Sequence, residues 1–523
     1  MALPKLPIGI QSFEKLRTQG FAYVDKTPLI ARMTESAAVF LSRPRRFGKS
    51  LLVDTLDLAF SGRRDLFQSL FLDRDDSGWD WTRTNPVLRF DFTTGAPNDP
   101  DGLAAFLIRK IEAYGRRFGV TSGEGSPGER LYALLEAMAA KGLEKAVVLV
   151  DEYDKPILDN LLDTPLAIRM REVLKQFYGI LKPADPYLRF VFLTGVSKFS
   201  KAGVFSGLNQ LNDITLEEAY GTVCGYTQKD VDTLFSPHLV KFDREVVRNW
   251  YNGYTWGSEG VYNPFDILLL CANQELRPWW FETGTPSFLI KLLREQPRSL
   301  PELDTLKIGA ELSDSFEPES MSLPVMLFQT GYLTIKERLV DPEEGTRFRL
   351  GFPNHEVRMS FSRLNLVNLT GDNDGTSDNR NRLRDILEAG DGPALRDLFT
   401  AFFASIPADN YRNNQLSRYE GFYASVVYAY FASLGLSVIP EDVTNRGRID
   451  LTVIGPHGIW IFEFKVKGLD KSGSEAPLAQ ILRKDYAAKY RGRTNAQGKV
   501  LPLRQVGIVF DEVARNVESW EEG

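Results

Sequence analysis

Four short apolar runs punctuate the first two hundred or so residues: AVFLS (38–42), VLRFDF (87–92), AVVLVD (146–151) and LRFVFLTG (188–195). Each is close to continuous in hydrophobicity, the pattern of a strand covered on both faces. The amphipathic stretches between them are long enough for crossover helices, so the pattern predicts a parallel sheet in an α/β domain. From about 225 to 345 the periodicity becomes mainly helical, with aromatic-rich turns such as WYNGYTWG (250–257) and PWWFETGTP (278–286), and reads as a lid or second lobe. Residues 370–381, TGDNDGTSDNRN, read as a polar loop or domain joint. Aligned as a calcium loop, they place Thr370 first and Asn381 last where carboxylates are required, which favours a plain loop. Beyond the joint the pattern predicts a helical stretch, a helix over about 415–434 and a strand near 436–440. A hairpin over 448–466, a helix over 476–490 and a final strand RQVGIVFD (504–511) follow. The expected division is 1–225, 226–369 and 382–523: an α/β domain, a mainly helical middle region and a second α/β domain.

Composition narrows the class. The 523 residues are 43% hydrophobic and 25% charged, as in soluble globular proteins, and are too many for one ordinary core. A formal net charge of −6 argues against a uniformly basic nucleic-acid-coating protein and still allows a local basic groove. Cys224 and Cys271 are too few for a disulfide framework or a zinc ribbon and suit a reducing cytoplasm. The N-terminal MALPKLPIGIQSFEKL lacks a signal-peptide pattern, and no apolar run approaches membrane-helix length; the expectation is a cytoplasmic protein without a membrane partner.

The stretch AVFLSRPRRFGKSLLVDTL sets Gly48-Lys49-Ser50 between a strand and a helix, where backbone N–H groups can cradle phosphates. Lys49 would reach the outer phosphates and Ser50 a Mg²⁺ ion, with Arg46 and Gly48 completing the candidate nucleotide-binding loop. Arg43 stands where the full pattern asks for its first glycine. Downstream, AVVLVDEYD ends a strand in Asp151-Glu152. On a neighbouring strand, Asp151 would hold Mg²⁺ through water and Glu152 would polarise the attacking water. The alternative is a solvated basic turn and a helix cap.

These segments occur with YVDKT (23–27), RPRRFGKSLL (43–52), VDEYDKPI (150–157), LTGVSKFS (193–200), VYNPFDIL (261–268), TGTPSFL (283–289) and FPNHEVR (352–358). In that order, and over nearly the whole chain, they resemble the bacterial and archaeal AAA-ATPase-like family, typically followed by a restriction-endonuclease-like PD-(D/E)XK domain. An arginine in place of the first loop glycine is also a feature of that family. The resemblance implies a P-loop AAA-like domain, a helical middle region, a restriction-endonuclease-like domain, ATP as cofactor and room for a homo-oligomer. It also makes Thr194 a candidate γ-phosphate sensor.

The C-terminal stretch GRIDLTVIGPHGIWIFEFKVKG (447–468) carries the second chemistry. A turn at GPHG pairs Ile454 with Ile459, which brings Asp450 opposite Glu463. Lys465 shares that face, while Phe462, Phe464 and Val466 point into the core. Two facing carboxylates suit Mg²⁺ or Mn²⁺ and phosphodiester hydrolysis, with Lys465 orienting water or stabilising charge. Asp450-x12-Glu463-x-Lys465 resembles the PD-(D/E)XK signature, Glu420 the additional acidic position, and Gln480 the glutamine that often follows. Arg448 suits either phosphate contact or a structural ion pair, and Glu441 is a weaker candidate for the acidic cluster. From Lys465 to Arg504 ten Lys/Arg face three acidic residues, either a phosphate track or a solvated helix face. Tyr251, Tyr254, Trp256, Trp279 and Trp280 read as packing before base stacking. The leading expectation is an ATP-gated, metal-dependent nuclease with DNA as favoured partner; RNA stays open, since the site chemistry is indifferent to the sugar. The rival is a nucleotide-switched binding protein whose nuclease fold only grips nucleic acid.

Overall fold

The computed structural model describes the chain apart from residues 1–2, 94, 96, 200–203, 205–209, 284–286, 297, 313–316, 342, 344, 407–419, 468–474 and 496. Of residues 287, 294, 310, 341 and 420 it describes only the backbone. Packing divides the described chain into two compact units: Met1–Leu292 with Leu306–Asn354, and Leu293–Thr305 with His355–Gly523. This division follows contacts, whereas the sequence boundaries at 225, 369 and 382 follow composition.

The first unit is built on β1 (Ala38–Ser42), β2 (Val87–Asp91), β3 (Ala146–Asp151), β4 (Leu188–Gly195) and β5 (Asn212–Asp213). They form a parallel sheet in the order β2-β3-β4-β1-β5. β1 and β3 are buried at every position, as their uninterrupted hydrophobic runs require. Crossover helices start at strong stop signals: Asp99 caps Pro100–Phe118, and a Ser126/Glu129 capping box opens Pro127–Ala140. β4 lies between β1 and β3. The phosphate loop and Asp151 therefore leave the sheet from strands one apart, and not from neighbours as the sequence suggested. The middle region is helical around a core of Val247, Tyr251, Tyr262, Ile267 and Leu270. It also carries a three-stranded antiparallel sheet, β6 (Lys307–Ile308), β7 (Thr334–Asp341) and β8 (Gly345–Gly351), in the order β6-β8-β7. Charged, exposed positions along β7 hide that hairpin from a periodicity search.

The second unit holds β9 (Ser437–Thr444), β10 (Gly447–Ile454), β11 (Ile459–Lys467), β12 (Leu503–Asp511) and β13 (Asn516–Glu522), in the order β13-β12-β11-β10-β9. Only β11 and β12 pair in parallel. Helix Glu420–Ser433 covers one face, with Phe431 5.4 Å from Phe462 and Tyr423 stacked 4.3 Å from Phe510. On the other face Ile459 and Ile461 pack with Ile481 and Tyr486. The helix expected over 476–490 ends at Lys484, because Asp485 takes a left-handed φ of 47° and a 3₁₀ turn, Tyr486–Tyr490, follows. The polar joint at 370–381 is also corrected: Asp372 accepts a hydrogen bond from Gly375 N (2.9 Å) and caps a helix, Asn373–Ala389. Its apolar face is so narrow, with only Thr376, Leu383 and Ile386 buried, that composition reads as loop. Among the described residues no helix is long and apolar enough to cross a membrane.

Candidate nucleotide and nuclease sites

Gly48, at φ 94°, caps helix Lys49–Phe60 and gives the loop a left-handed turn that other residues adopt only under strain. Lys49 is buried, and its Nζ donates to the carbonyls of Arg43 (2.9 Å) and Pro44 (3.0 Å). Burial lowers its pKa, opposed by the nearby carboxylates of Glu152, Asp151 and Asp154. Asp151 is fully buried, and neither oxygen has a well-formed hydrogen bond to a described residue. Burial raises its pKa; the Ser50 hydroxyl and Lys49 act in the opposite direction. Unbonded carboxylate oxygens beside a serine hydroxyl fit a hard cation such as Mg²⁺. Glu152 is held at φ 51°, and burial raises its pKa while Lys49 lowers it. Lys49, Ser50 and Glu152 border a cleft of about 430 Å³ that also takes in Tyr23, Tyr226 and Phe265. Arg46 sits at its mouth with φ 70° and its guanidinium 5.0 Å from the Phe265 ring.

Arg43 explains the missing glycine. Its backbone N–H continues the β1–β4 ladder to Gly195 O (3.1 Å), and its side chain turns away from the cleft. The guanidinium donates to the carbonyls of Ser42 (2.8 Å), Thr215 (3.0 Å) and Tyr220 (3.0 Å) and lies 4.1 Å from the Trp256 ring. Burial pulls its pKa down to about 10. Phe47 meets Tyr254 and Trp256 edge-on, and the Trp280 indole N–H donates to Arg45 O (3.2 Å). Tyr254, Trp256 and Trp280, all buried, thus brace the phosphate loop, while Tyr251 is buried in the core of the middle region. Asp154 is a residue that sequence reasoning missed. Its carboxylate accepts from Val196 N (3.0 Å), Ser197 N (2.6 Å) and the Ser197 hydroxyl (2.5 Å), tying the ends of β3 and β4 together. The third acid of VDEYD, beside a glycine at the end of β4, was its signal. A Cβ on Gly195 would lie 2.4 Å from Asp154 Oδ1. The Thr194 hydroxyl donates to Leu41 O (2.8 Å) inside the sheet.

In the second unit the hairpin has the register expected from the turn, Ile454 opposite Ile459 through Leu451 opposite Phe462, and there the ladder stops. Asp450 stands just past its end, where β10 and β11 fork, and accepts from Phe464 N at 2.7 Å. Glu463 is 1% exposed, and the Gln480 amide donates to its Oε1. Lys465 is half-buried two residues further along the same strand face. The structure therefore brings Asp450, Glu463, Lys465 and Gln480 to one place. Glu420 begins helix Glu420–Ser433, but its side chain lies outside the described residues. Tyr486 was also missed: it is 2% exposed, and Glu463 and Asp450 add to the burial that raises its pKa. Gly507, paired with Glu463 across β12, is another. A Cβ there would sit 2.4 Å from Leu478 N, so glycine lets the helix carrying Gln480 approach.

Among the described residues no three His, Cys, Asp or Glu are grouped to hold a metal. Two carboxylates with water and backbone oxygens nonetheless fit Mg²⁺ or Mn²⁺, which retain several waters. Arg448 forms an exposed ion pair with Glu441 at 2.7 Å. Within the basic run four cations are ion-paired: Arg483 with Glu475, Arg491 with Asp485, Lys489 with Asp442 and Lys467 with Glu518. Lys471 lies outside the described residues.

Fold and site together define a P-loop, AAA-like unit and a restriction-endonuclease-like unit in one chain. The family described as "Predicted AAA-ATPase" matches residues 7–205, and the "PD-(D/E)XK nuclease superfamily" matches residues 418–520. A protein of Azotobacter chroococcum mcd 1, named "Uncharacterized protein in vnfD 5'region", is 44% identical over 521 residues, covering 99% of this chain and 98% of that protein. No solved structure matches. The chain belongs to the AAA-ATPase-like family that carries a C-terminal PD-(D/E)XK domain.

Proposed function

We propose that this protein is a metal-dependent nuclease, acting on DNA, whose phosphodiester hydrolysis is gated by ATP at the Lys49 loop. The fork of β10 and β11 carries the reading: Asp450 is fixed by the Phe464 N–H and Glu463 by the Gln480 amide, with Lys465 on the same face. Bound there, Mg²⁺ or Mn²⁺ would activate water and offset charge on the phosphorane-like transition state. Asp450 and Glu463 would hold the ion, with the Gln480 amide orienting the Glu463 carboxylate. Lys465 would orient the water or neutralise the scissile phosphate. Gating draws on Lys49. A triphosphate competes with the Arg43 and Pro44 carbonyls for its ammonium, so nucleotide binding loosens a loop that the middle region braces. Such an activity suits defence against foreign DNA, or DNA processing.

The test is cleavage of supercoiled, linear and single-stranded DNA, with single-stranded RNA alongside, in Mg²⁺ or Mn²⁺ with and without ATP. Asp450→Ala should lower cutting by at least ~1000-fold. Lys49→Ala should abolish its response to ATP. Wild-type protein that cuts nothing under any of these conditions, yet binds nucleic acid in an ATP-dependent way, would replace the enzyme with a nucleotide-switched binder.

A further inference from the structure

Five cations border the nucleotide cleft: Lys26, Arg45, Arg46, Lys49 and Lys155. Four already have a place. Lys26 is paired with Asp230 (3.0 Å) and Lys155 with Asp159 (2.5 Å). Lys49 holds the loop carbonyls, and Arg46 lies over Phe265. Arg45 differs. Its main chain is fixed by the Trp280 indole, while its exposed guanidinium has no hydrogen bond or ion pair to a described residue. Its direction is set by what it borders. Besides the cleft it lines a small cavity with Val196 and Leu158, at the exit of β4 and the short helix after β3. Glu152, the base candidate for the attacking water, borders the nucleotide cleft together with Arg45. A nucleotide whose inner phosphates rest on the N-terminus of helix Lys49–Phe60 extends its last phosphate toward the strand ends.

We propose that Arg45 is a catalytic residue, supplied in cis, that binds the terminal phosphate of a nucleoside triphosphate held by the Lys49 loop. The inference rests on the nucleotide-binding reading above. In the step it serves, water oxygen bonds to the γ-phosphorus while the bond from that phosphorus to the β–γ bridging oxygen breaks. The electron pair leaves with the diphosphate. Glu152 takes the water proton and releases it to solvent, and inorganic phosphate is the second product. Arg45 transfers nothing; its planar fork compensates charge on the equatorial oxygens, which a single ammonium does less well.

The test compares ATP and ADP affinity, and ATP turnover, for full-length wild type, Arg45→Ala and Arg45→Lys, with thermal melting as the check on folding. Arg45→Ala should weaken ATP roughly 10- to 100-fold with ADP affinity unchanged, and lower turnover by about 1000-fold or more. Arg45→Lys should recover affinity more than turnover, and added guanidinium ion should partly restore Arg45→Ala. Equal losses for ATP and ADP, or no loss for either, would overturn the assignment while leaving the nucleotide site intact. Wild type that binds neither nucleotide would overturn the nucleotide reading, and this inference with it.

Discussion

A buried guanidinium tolerates the loss of water only when most of its donors are met; both terminal nitrogens of Arg43 donate to carbonyls, those of Ser42, Thr215 and Tyr220, and its buried Nε has no partner among the described residues. Arg43→Ala leaves those carbonyls buried without a donor and opens a void against Trp256. Its expected loss is about 3–4 kcal/mol in urea unfolding. Arg43→Lys keeps the charge but cannot span Ser42, Thr215 and Tyr220, so it should recover under half of that. A loss within about 0.5 kcal/mol for Arg43→Ala would show that the clamp is incidental. His355 gives a pH prediction of its own. It begins helix His355–Thr370, and burial, with help from Arg358 and Arg363, lowers its pKa from 6.5 to about 4. Between those values the unfolded chain binds the proton and the folded one resists it, so stability is full above pH ~6.5 and declines as pH falls toward ~4. The decline is on the order of 3 kcal/mol. His355→Asn should flatten that part of the stability profile; an unchanged slope would assign it to other groups.

At the scale of elements, the nuclease site depends on a helix reaching a strand. Gly507→Ala should push Leu478 and its helix off β12, costing about 1–3 kcal/mol, and should draw Gln480 away from Glu463. The expected result is a loss of cleavage larger than the loss of stability explains, with metal affinity falling as well. Full activity in Gly507→Ala would mean that the helix yields without disturbing the carboxylates. The signal lay in RQVGIVFD, where a glycine inside an apolar strand marks a close backbone approach. More generally, elements with a strong period were legible. β1, β3 and β4 end where their hydrophobic runs end, and the GPHG turn set the register that brings Asp450 toward Glu463. What escaped lacks a local period. The charged β7 and β13 take their structure as the hairpin partners of β8 and β12, and the polar helix Asn373–Ala389 buries only a narrow apolar face. Asp154 and Tyr486 act through contacts that no spacing rule encodes. The pairing of Arg483, Lys489 and Arg491 with carboxylates also depends on tertiary placement, which a charge count along the chain does not encode.

For the whole molecule, the second unit does not coincide with the last stretch of sequence. It draws in Leu293–Thr305 and the helix His355–Thr370, which packs along Glu420–Ser433. Leu300 N donates to the Ser425 hydroxyl (3.0 Å), and Arg358 pairs with Asp304 (2.9 Å) in a partly buried contact. A fragment of residues 382–523 would retain the β9–β13 sheet and every described nuclease residue. It would also expose the face of Glu420–Ser433 that the upstream helix covers, in a small unit with little surplus stability. That fragment should therefore unfold without a cooperative transition or aggregate, and should cut no DNA. A fragment of residues 355–523 should recover a measurable transition, and one of residues 293–523 a sharper one, since it restores Leu300 and Asp304. Cooperative melting and cleavage by 382–523 alone would show that the upstream segments only decorate the nuclease unit. Should only the longer fragments fold, the chain linking the two units would itself be structural in the second.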